Sequence, residues 1–347
     1  MEKRKLNTIS NSHVIKLSFL EQEEIEKLAF ELRKMQINLV NKRDSDLFCE
    51  KAKQLSEQIP IRIQKILNDF YLNGNETGFV LIHTIPYKKE TIPKTPLVNT
   101  NSVGSTTLLA YIQSIFVSFL GEMISYEAEG DGQIFQDIIP VPNMGINQTS
   151  YSSDVELEIH TEQAFSKIRP DILSLACLKG DKNALTYVLP LNKILENISE
   201  EEYELLLKPL WKTGVDVSFK KNGYLFLEGD IRGPFPIIND SNNNNNSKEK
   251  TLVLIFDQDL MKGTTEESNH IIEKIVDIYY KNRIPHNLQP GEILLIDNRR
   301  SLHGRSPFIP KYDGNDRFLI RCFAISNYES TLYARPNNGR MVSAIYS

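Results

Sequence analysis

The chain has 347 residues, of which 40% are hydrophobic and 24% charged, and its formal net charge is -5 at pH 7. A chain of this size can bury a large core, so we expect a globular protein of one large domain or two medium ones. The slight acidity and the lack of a Lys/Arg block argue against binding to nucleic acid, and a small-molecule partner is the better expectation.

The N-terminus and the cysteines bear on the cellular compartment. The chain begins with the basic MEKRK, but no apolar core with a small-residue cleavage site follows, which argues against a secretory signal. No run of about eighteen apolar residues predicts a membrane-spanning helix. Cys49, Cys177 and Cys322 form an odd, widely spaced set that suits neither a disulfide framework nor a zinc site. We therefore expect a reduced, cytoplasmic protein without a membrane partner.

Helical patterns dominate the N-terminal part of the chain. Ser18 and Glu21 form a capping-box pattern ahead of the periodic run FLEQEEIEKLAFELRKM, and a second helical pattern, DLFCEKAKQLSEQ, continues until Pro60 disturbs it. No linker divides the chain cleanly. We therefore predict one domain over residues 1–347, with residues 1–75 as a helical extension packed on it.

From Gly78 the pattern changes towards strands. GFVLIHTIP reads as a buried strand, and STTLLAYIQSIFVSFLGEM returns to helical periodicity. The later strand candidates are QIFQDIIP, VELEIHTE, ILSLACLKG, ALTYVLP, GYLFLEG, TLVLIFD, GEILLIDN and DRFLIRCFA. Many short strands predict a sandwich or jelly roll.

Two helices and one low-complexity segment interrupt these strands. The helical patterns are LNKILENISEEEYELLLKPL and TTEESNHIIEKIVDIYYKNR, and such inserts usually pack outside a β core. The asparagine-rich residues 239–250 predict a flexible surface loop. The expected fold class is α+β with a mainly β core, decorated by N-terminal and inserted helices.

The strand VELEIHTE carries a candidate metal site. His160 and Glu162 are two residues apart, so both project to one face of an extended strand, where an imidazole and a carboxylate can bind one metal ion. An exposed polar face, or a histidine held by hydrogen bonds, explains this pair equally well.

A second imidazole comes from GEILLIDNRRSLHGRSPFIPKYDGNDRFLIR. Its apolar strand leads into a polar turn and then to His303. Two histidines and one carboxylate on one face of an iron leave other coordination positions open, as in non-haem Fe(II) oxygenases. Zinc hydrolysis with the same ligands remains an alternative.

The strand DRFLIRCFA carries Arg317 and Arg321 on one face. A buried arginine is costly unless its charge is paired, and no acidic residue alternates with these on the strand. A guanidinium binds a carboxylate through two parallel hydrogen bonds, so two ligand carboxylates are the simplest partners. The alternative is that one or both arginines face solvent or pair with a distant aspartate.

The apolar run TLVLIFDQDLM ends in Asp257 and Asp259, again two residues apart. Two carboxylates aimed at one site repel each other unless water or a cation screens them. The two aspartates therefore require water or a cation beside them, with a solvated strand end or helix cap as the alternative.

Three blocks of the sequence resemble one family. HTEQAFSKIRPDILSLACLKGD is similar to the metal-binding stretch of the clavaminate synthase-like Fe(II)/2-oxoglutarate-dependent oxygenases, which include bacterial hydroxylases of free arginine and lysine. The GEILLIDN block is similar to that family's second block, and GFVLIHTIPYKKETIPKTP to its N-terminal passage. The resemblance extends from about Gly78 to Arg321. This family accepts His-x-Glu where most of the wider superfamily uses His-x-Asp.

The resemblance implies a fold and a set of roles. The fold would be a double-stranded β-helix, the cupin-like jelly roll. His160, Glu162 and His303 would hold iron. Arg317, assisted by Thr186, would bind the distal carboxylate of 2-oxoglutarate, although a strand threonine without a special task is the alternative for Thr186. The implied substrate contacts are Arg321 for the amino-acid carboxylate, Asp257 and Asp259 for the charged end of the side chain, Glu129 for the amino group, and Ser150 and Ser153 in a segment that lines the site.

The resemblance also implies a reaction. With Fe(II), 2-oxoglutarate and O2, the protein would hydroxylate C3 or C4 of a free basic L-amino acid, lysine ahead of arginine, and give succinate and CO2. A different amino acid, or desaturation instead of hydroxylation, is the nearest alternative. A jelly-roll small-molecule-binding protein without redox activity is the alternative from another class. Homo-oligomerisation stays open.

Overall fold

A computed structural model of the chain describes residues 13–35, 39, 42–83, 92–216, 231–241, 251–336 and 339–346. Its α-helices are α1 (Phe19–Arg33), α2 (Lys42–Ser56), α3 (Ile61–Asn73), α4 (Leu108–Leu120), α5 (Leu191–Glu196), α6 (Glu200–Leu206) and α7 (Glu266–Asn282). Its strands are β1 (Val14–Lys16), β2 (Phe79–His83), β3 (Glu122–Tyr126), β4 (Gln136–Ile138), β5 (Leu157–His160), β6 (Ile172–Lys179), β7 (Thr186–Pro190), β8 (Trp211–Gly214), β9 (Ile231–Phe235), β10 (Ile238–Ser241), β11 (Thr251–Leu254), β12 (Met261–Gly263), β13 (Ile284–His286), β14 (Ile293–Asp297), β15 (Ser301–Arg305), β16 (Phe318–Ile325) and β17 (Met341–Val342).

The largest sheet has eight strands in the order β1-β2-β14-β6-β16-β3-β17, with β4 paired to β16. Its central strands β6, β14 and β16 are buried along almost their whole length. A strand covered on both faces needs apolar side chains in both directions, which explains the near-continuous apolar runs of these three segments. Most pairs in this sheet are antiparallel, and β1 with β2 and β17 with β3 are parallel.

A second sheet has four antiparallel strands in the order β13-β7-β15-β5. Val188 of this sheet belongs to the same buried cluster as Leu173, Leu175 and Leu319 of the large sheet. Apolar side chains of the two sheets therefore face each other and form one core. Two smaller sheets, β10-β11 and β12-β8-β9, complete the described strands.

The N-terminal helices cover the other face of the large sheet. Helix α1 begins at a capping box between Ser18 and Glu21, as predicted, and the helical run before Pro60 ends at Ser56. Buried residues of α1 to α4 share one apolar cluster with residues of β2, β6, β14 and β16. Because proline is tolerated at a helix start, α3 then begins directly after Pro60.

The inserted helices pack outside the four-stranded sheet, as predicted. Buried residues of α5, α6 and α7 join Leu189 and Leu302 in a third apolar cluster. The strand predicted at GYLFLEG lies outside the described residues. The asparagine-rich loop was predicted over 239–250, but residues 239–241 belong to β10 and pair with β11, and the remainder is outside the described ranges.

Membrane insertion through a helix is not supported by the described part of the chain. Each helix there is too short or too polar to cross a lipid bilayer.

Candidate active site

A cavity opens between the two large sheets. It is lined by residues of β6 and β16 on one side and of β5, β7 and β15 on the other, and its empty space of about 1030 Å³ is partly open to solvent. Most of the residues singled out in the sequence line it: Glu129, Ser150, His160, Glu162, Thr186, Asp257, Asp259, His303, Arg317 and Arg321. The cavity therefore joins residues from distant parts of the sequence into one candidate site.

His160, Glu162 and His303 form the one group of three potential metal ligands that the described residues contain. Their ligand atoms all lie within 4.8 Å of one another. His303 lies directly opposite His160 on the neighbouring strand, and the centroids of the two rings are 4.4 Å apart. Glu162 follows His160 in a turn beyond the end of β5, so its carboxylate reaches the same point from a different direction. Two imidazoles and one carboxylate suit a divalent transition metal.

Hydrogen bonds orient the imidazole of His160. Its Nδ1 lies 2.8 Å from the main-chain oxygen of Glu158, an acceptor, so Nδ1 carries the proton and Nε2 is left for a metal. Burial and the neighbouring His160 lower the pKa of His303 to about 4. His303 is therefore neutral at pH 7, which is the form that binds metal.

Two kinds of interaction hold Glu162, namely hydrogen bonds to its main chain and charge interactions with its carboxylate. Its amide donates to Asn298 Oδ1 at 2.8 Å, and Asn298 Nδ2 donates to the main-chain oxygens of Glu162 and Pro170. Burial opposes ionisation of the Glu162 carboxyl, but Arg321 and His303 together lower its pKa to about 2. The carboxylate is thus ionised and fixed in place before any metal arrives.

Close approach of β5 and β15 brings the two histidines together. A Cβ atom on Gly304 would lie 2.7 Å from the main-chain oxygen of Leu157 and 2.9 Å from the hydroxyl of Tyr279, so only glycine fits there. The pairing of these strands also shifts register between His303 and Arg305, which marks a β-bulge beside the site.

Two glutamates, Glu156 and Glu158, precede His160 and lie beside this bulge. Glu156 forms an ion pair with Arg283 Nη1 at 2.5 Å, and the Arg283 guanidinium stacks on the ring of Tyr187, 3.8 Å from its centroid. Glu158 lines the cavity and supplies the main-chain oxygen that orients His160. Glu156 therefore stabilises the structure around the site, whereas Glu158 borders it.

One end of the cavity carries donors without acceptors. Among the described residues, buried Arg317 has neither a hydrogen-bond acceptor nor an ion-pair partner, and Thr186 Oγ1 and Arg305 Nε are buried without partners. Burial lowers the pKa of Arg317 to about 10, and burial together with Arg317 lowers that of Arg305 to about 9. Both guanidinium groups stay cationic at neutral pH, and this end of the cavity suits an anion.

Arg321 differs from Arg317 because carboxylates of the chain already pair with it. Its guanidinium contacts Glu129 and Gln136 and donates from Nη1 to Glu162 Oε1 at 3.2 Å. The sequence interpretation named ligand carboxylates as the simplest partners of both arginines, and for Arg321 the structure adds carboxylates of the chain itself. Glu129 comes from a turn far away in the sequence, which strand alternation could not reveal. Burial raises the pKa of Glu129 to about 7, against the opposing effect of Arg321.

The end of the cavity near His160 is acidic. Asp257 pairs with His160 through an isolated β-bridge, and its Oδ1 accepts from the amide of Leu260 at 2.8 Å. Burial raises the pKa of Asp257 to about 6, although His160 opposes the rise. Burial and Asp216 raise the pKa of Asp259 as well. Three carboxyl groups that disfavour one another's charge can be relieved by a cationic ligand.

Ser150 and Ser153 do not share one location. Ser150 lines the cavity, but Ser153 does not. The hydroxyl of Ser153 donates to Asp154 Oδ1 at 2.6 Å, and its main-chain oxygen accepts from the amide of Phe308. Ser153 thus fixes the loop whose neighbouring residue Ser150 lines the cavity.

Sequence reasoning missed five residues that belong to the site, namely Gln136, Gln163, Asp216, Asn298 and Arg305. Gln163 adopts a left-handed backbone conformation, with φ of 54°, and donates to Glu129 Oε2 at 2.9 Å. Its Oε1 and Gln136 Nε2 are buried without partners among the described residues. The available signal for Gln163 was its position directly after Glu162, and for Arg305 its position two residues after His303. Asp216 follows a short strand and carries no such signal.

Comparison with known proteins agrees with this geometry. Residues 118–323 match the model of the family described as taurine catabolism dioxygenase TauD, TfdA family. The chain is 41% identical to L-lysine 3-hydroxylase of Catenulispora acidiphila over 86% of this chain and 82% of that protein. It is 27% identical to clavaminate synthase 2 of Streptomyces clavuligerus over 88% and 91% of the two chains.

A solved structure shows the same fold. An asparagine oxygenase in complex with Fe(II), (2S,3S)-3-hydroxyasparagine and succinate superposes with a TM-score of 0.84 and is 25% identical, over 95% of this chain and 99% of that one. The β core and its helices are therefore arranged as in that oxygenase.

Proposed function

The chain belongs to the TauD/TfdA family of dioxygenases, and from that premise we propose that it hydroxylates C3 of free L-lysine, with 2-oxoglutarate and O2 as cosubstrates and succinate and CO2 as products. One observation carries this proposal. The cavity that contains His160, Glu162 and His303 also contains acidic residues near His160. It contains Arg321 as well, whose guanidinium group contacts carboxylate and amide side chains.

The donor set fits Fe(II). Two imidazoles and one ionised carboxylate face the same point of the cavity, and such a facial set leaves the remaining coordination positions open to ligands. When bound, iron and 2-oxoglutarate supply the oxidising chemistry that inserts one oxygen atom of O2 into a C–H bond. The chain itself orients the ligands, through Glu158 for His160 and Asn298 for Glu162.

The end of the cavity that carries Arg317 and Arg305 fits 2-oxoglutarate. Arg317 has no acceptor among the described residues, and Thr186 Oγ1 is buried without one. A carboxylate accepts hydrogen bonds from both a guanidinium and a hydroxyl, so these two side chains would hold its distal carboxylate. The unpaired donors at this end of the cavity support the assignment.

The remaining groups would hold the amino acid at both ends. Arg321 Nη1 donates one of its two hydrogens to Glu162, so a hydrogen remains for the substrate carboxylate, and Glu129 with Gln163 would accept the ammonium group. Asp216, Asp257 and Asp259 would take the side-chain ammonium group. Two anchors on a flexible chain fix which carbon faces the metal.

The architecture supports the same proposal. We infer that the eight-stranded and four-stranded sheets form a double-stranded β-helix within one domain, with the described residues of the segment 1–75 packed on it. The shared apolar cluster of both sheets and the TM-score of 0.84 support this inference.

The test is a substrate survey. The protein is incubated with Fe(II), 2-oxoglutarate and each standard amino acid in air, and mass spectrometry follows the gain of one oxygen atom while succinate is quantified. We expect L-lysine to be the preferred substrate and NMR of the product to show the hydroxyl at C3. Preference for an uncharged amino acid would contradict the lysine assignment, and equal turnover without O2 would contradict the oxygenase itself.

A further inference from the structure

We propose that Arg305 is a positioning residue that couples binding of 2-oxoglutarate to the order of the turn formed by residues 148–153. This inference rests on the proposed function, because it concerns how this chain receives that cosubstrate. It adds a connection between the cosubstrate end and the amino-acid end of the cavity. We call residues 148–153 the cavity turn, because its residues Gln148, Thr149 and Ser150 line the cavity.

The backbone directs Arg305 towards the proposed cosubstrate site. Arg305 pairs directly with Thr186 across β15 and β7, and it follows His303 by two residues. Directly paired residues project from the same face of a sheet, as do residues two apart on a strand. Arg305, Thr186 and His303 therefore share the face that borders the cavity, and all three line it.

Arg305 and Arg317 also share an aromatic neighbour. The guanidinium carbon of Arg305 lies 5.0 Å from the ring centroid of Phe308, and that of Arg317 lies 5.8 Å from the same centroid. Both arginines and Phe308 are buried. Two cations held around one ring in a buried site repel each other, and an anion beside them removes that repulsion.

The outer end of the Arg305 side chain holds the cavity turn. Its Nη1 donates to the main-chain oxygen of Ser152 at 2.8 Å, and its Nη2 donates to Ser152 Oγ at 3.0 Å and to the main-chain oxygen of Val155 at 3.2 Å. Ser152 in turn donates from its amide and its hydroxyl to the main-chain oxygen of Thr149. Arg305 therefore stabilises the backbone that presents Thr149 and Ser150 to the cavity.

The inner end of the same side chain is unsatisfied. Arg305 Nε is buried and has no acceptor among the described residues. A buried donor without a partner costs free energy, which an incoming carboxylate can recover. Because Nη1 and Nη2 are already engaged by the turn, one guanidinium group connects the carboxylate of 2-oxoglutarate with the backbone of the cavity turn.

This connection predicts positive coupling. An anion that stabilises Arg305 in its present position also stabilises the turn that Arg305 holds, and linkage requires the effect to be reciprocal. We therefore expect 2-oxoglutarate to order the turn. A variant that keeps the charge but cannot reach both partners should retain binding and lose the coupling.

The first measurement is binding of 2-oxoglutarate to the Fe(II) protein without O2, by calorimetry. We expect Arg305→Gln to raise the Kd about tenfold, because it loses a charge-assisted donor, and Arg305→Lys to stay within about threefold of wild type. Arg335→Gln is the matched control, since Arg335 is also buried and donates to main-chain oxygens, of Tyr328 and Gly339, but does not line the cavity.

The second measurement is hydrogen–deuterium exchange in peptides covering residues 148–156, with and without 2-oxoglutarate. In wild type and in Arg335→Gln, the cosubstrate should slow exchange there; in Arg305→Gln and Arg305→Lys this slowing should be absent. If either Arg305→Lys or Arg305→Gln shows both a wild-type Kd and the wild-type slowing of exchange, the inference is overturned. The proposed function would remain intact. Failure of the wild-type protein to bind 2-oxoglutarate would instead contradict the proposed function.

Discussion

His160 and His303 lie directly opposite each other on adjacent antiparallel strands, with ring centroids 4.4 Å apart, although they come from distant parts of the sequence. Their rings are held by different means. A main-chain oxygen orients His160, whereas His303 lies beside Glu162 Oε2 at 3.3 Å and is kept neutral by burial. A metal site assembled in this way is largely preformed, since strand pairing and not the metal brings the ligands together.

The first prediction concerns loss of the metal. We expect His303→Ala to bind Fe(II) at least about a hundredfold more weakly, because two ligands of three remain, and to keep its fold because the sheet survives without the imidazole. Metal content after equilibrium dialysis, with circular dichroism alongside, measures both effects. His270→Ala is the control, since the His270 side chain is 83% exposed on α7. Wild-type iron content in His303→Ala would contradict the assignment.

The second prediction concerns Asn298, which acts through Glu162. Asn298→Ala removes the acceptor for the Glu162 amide and the donor to Pro170, so the carboxylate loses its fixed position. We expect iron affinity to fall by about tenfold to a hundredfold, as for other groups that orient metal ligands. Asn298→Asp keeps the acceptor and should lie between Asn298→Ala and wild type. Equal iron affinity in all three proteins would contradict the positioning role of Asn298.

Much of the site followed from local patterns in the sequence. The two-residue spacing of His160 and Glu162 predicts a common face, and the apolar run before His303 predicts a buried strand, because both signals depend only on strand periodicity. The pair of aspartates at 257 and 259 was found in the same way. These residues do line one cavity.

The parts that were missed depend on tertiary packing. Glu129 reaches Arg321 from a turn, and Glu156 pairs with Arg283 beyond the end of α7, so no spacing rule connects either pair. The bulge in β5 and β15 likewise depends on the close approach that Gly304 permits. Strand alternation assigns a face to each side chain, but it does not say which partner the fold brings to that face.

The third prediction separates the two proposed contacts to the cosubstrate. Arg317→Gln should raise the KM for 2-oxoglutarate about a hundredfold or more, since it removes a charge-assisted, two-point contact. Thr186→Val keeps the shape of the side chain and loses only a hydroxyl, so we expect an increase of about tenfold or less. Steady-state kinetics at saturating lysine measures both values. The KM for lysine should stay within about twofold of wild type, and a selective rise in that constant would contradict the assignment.

The fourth prediction concerns stability and pH. Buried Asp297 pairs with Arg299 and Arg300, whose guanidinium groups donate to the main-chain oxygens of Phe70, Tyr71 and Leu72 at the end of α3. Despite burial, the two arginines hold the pKa of Asp297 below its ordinary value. The pair therefore contributes stability above the unfolded-state pKa of about 4, and that contribution is lost as pH falls through the lower folded-state value.

Asp297→Asn tests this sign directly. We expect the variant to be about 3 kcal/mol less stable than wild type at pH 7, because two half-buried guanidinium groups lose their buried counter-charge. The difference should shrink as the pH falls from about 4 through the lower folded-state pKa, below which wild-type Asp297 is also neutral in the folded protein. Urea unfolding at several pH values measures the free energies. A difference that does not change with pH would show that packing, and not charge, explains the loss.

The fifth prediction tests whether the acidic end of the cavity selects a cationic side chain. Asp257→Asn keeps an oxygen for the amide of Leu260 and removes one negative charge, and Asp216→Asn removes a neighbouring one. We expect each variant to lower kcat/KM for lysine by about tenfold to a hundredfold, because the lysine ammonium group loses a buried counter-charge. The ratio of kcat/KM for norleucine, which lacks that ammonium group, to kcat/KM for lysine should rise in both variants.

Asp277→Asn, a substitution at an exposed site on α7, is the control for a change of charge alone. An unchanged ratio of lysine to norleucine in both variants would mean that these aspartates do not recognise the side chain, even if the enzyme still hydroxylates lysine.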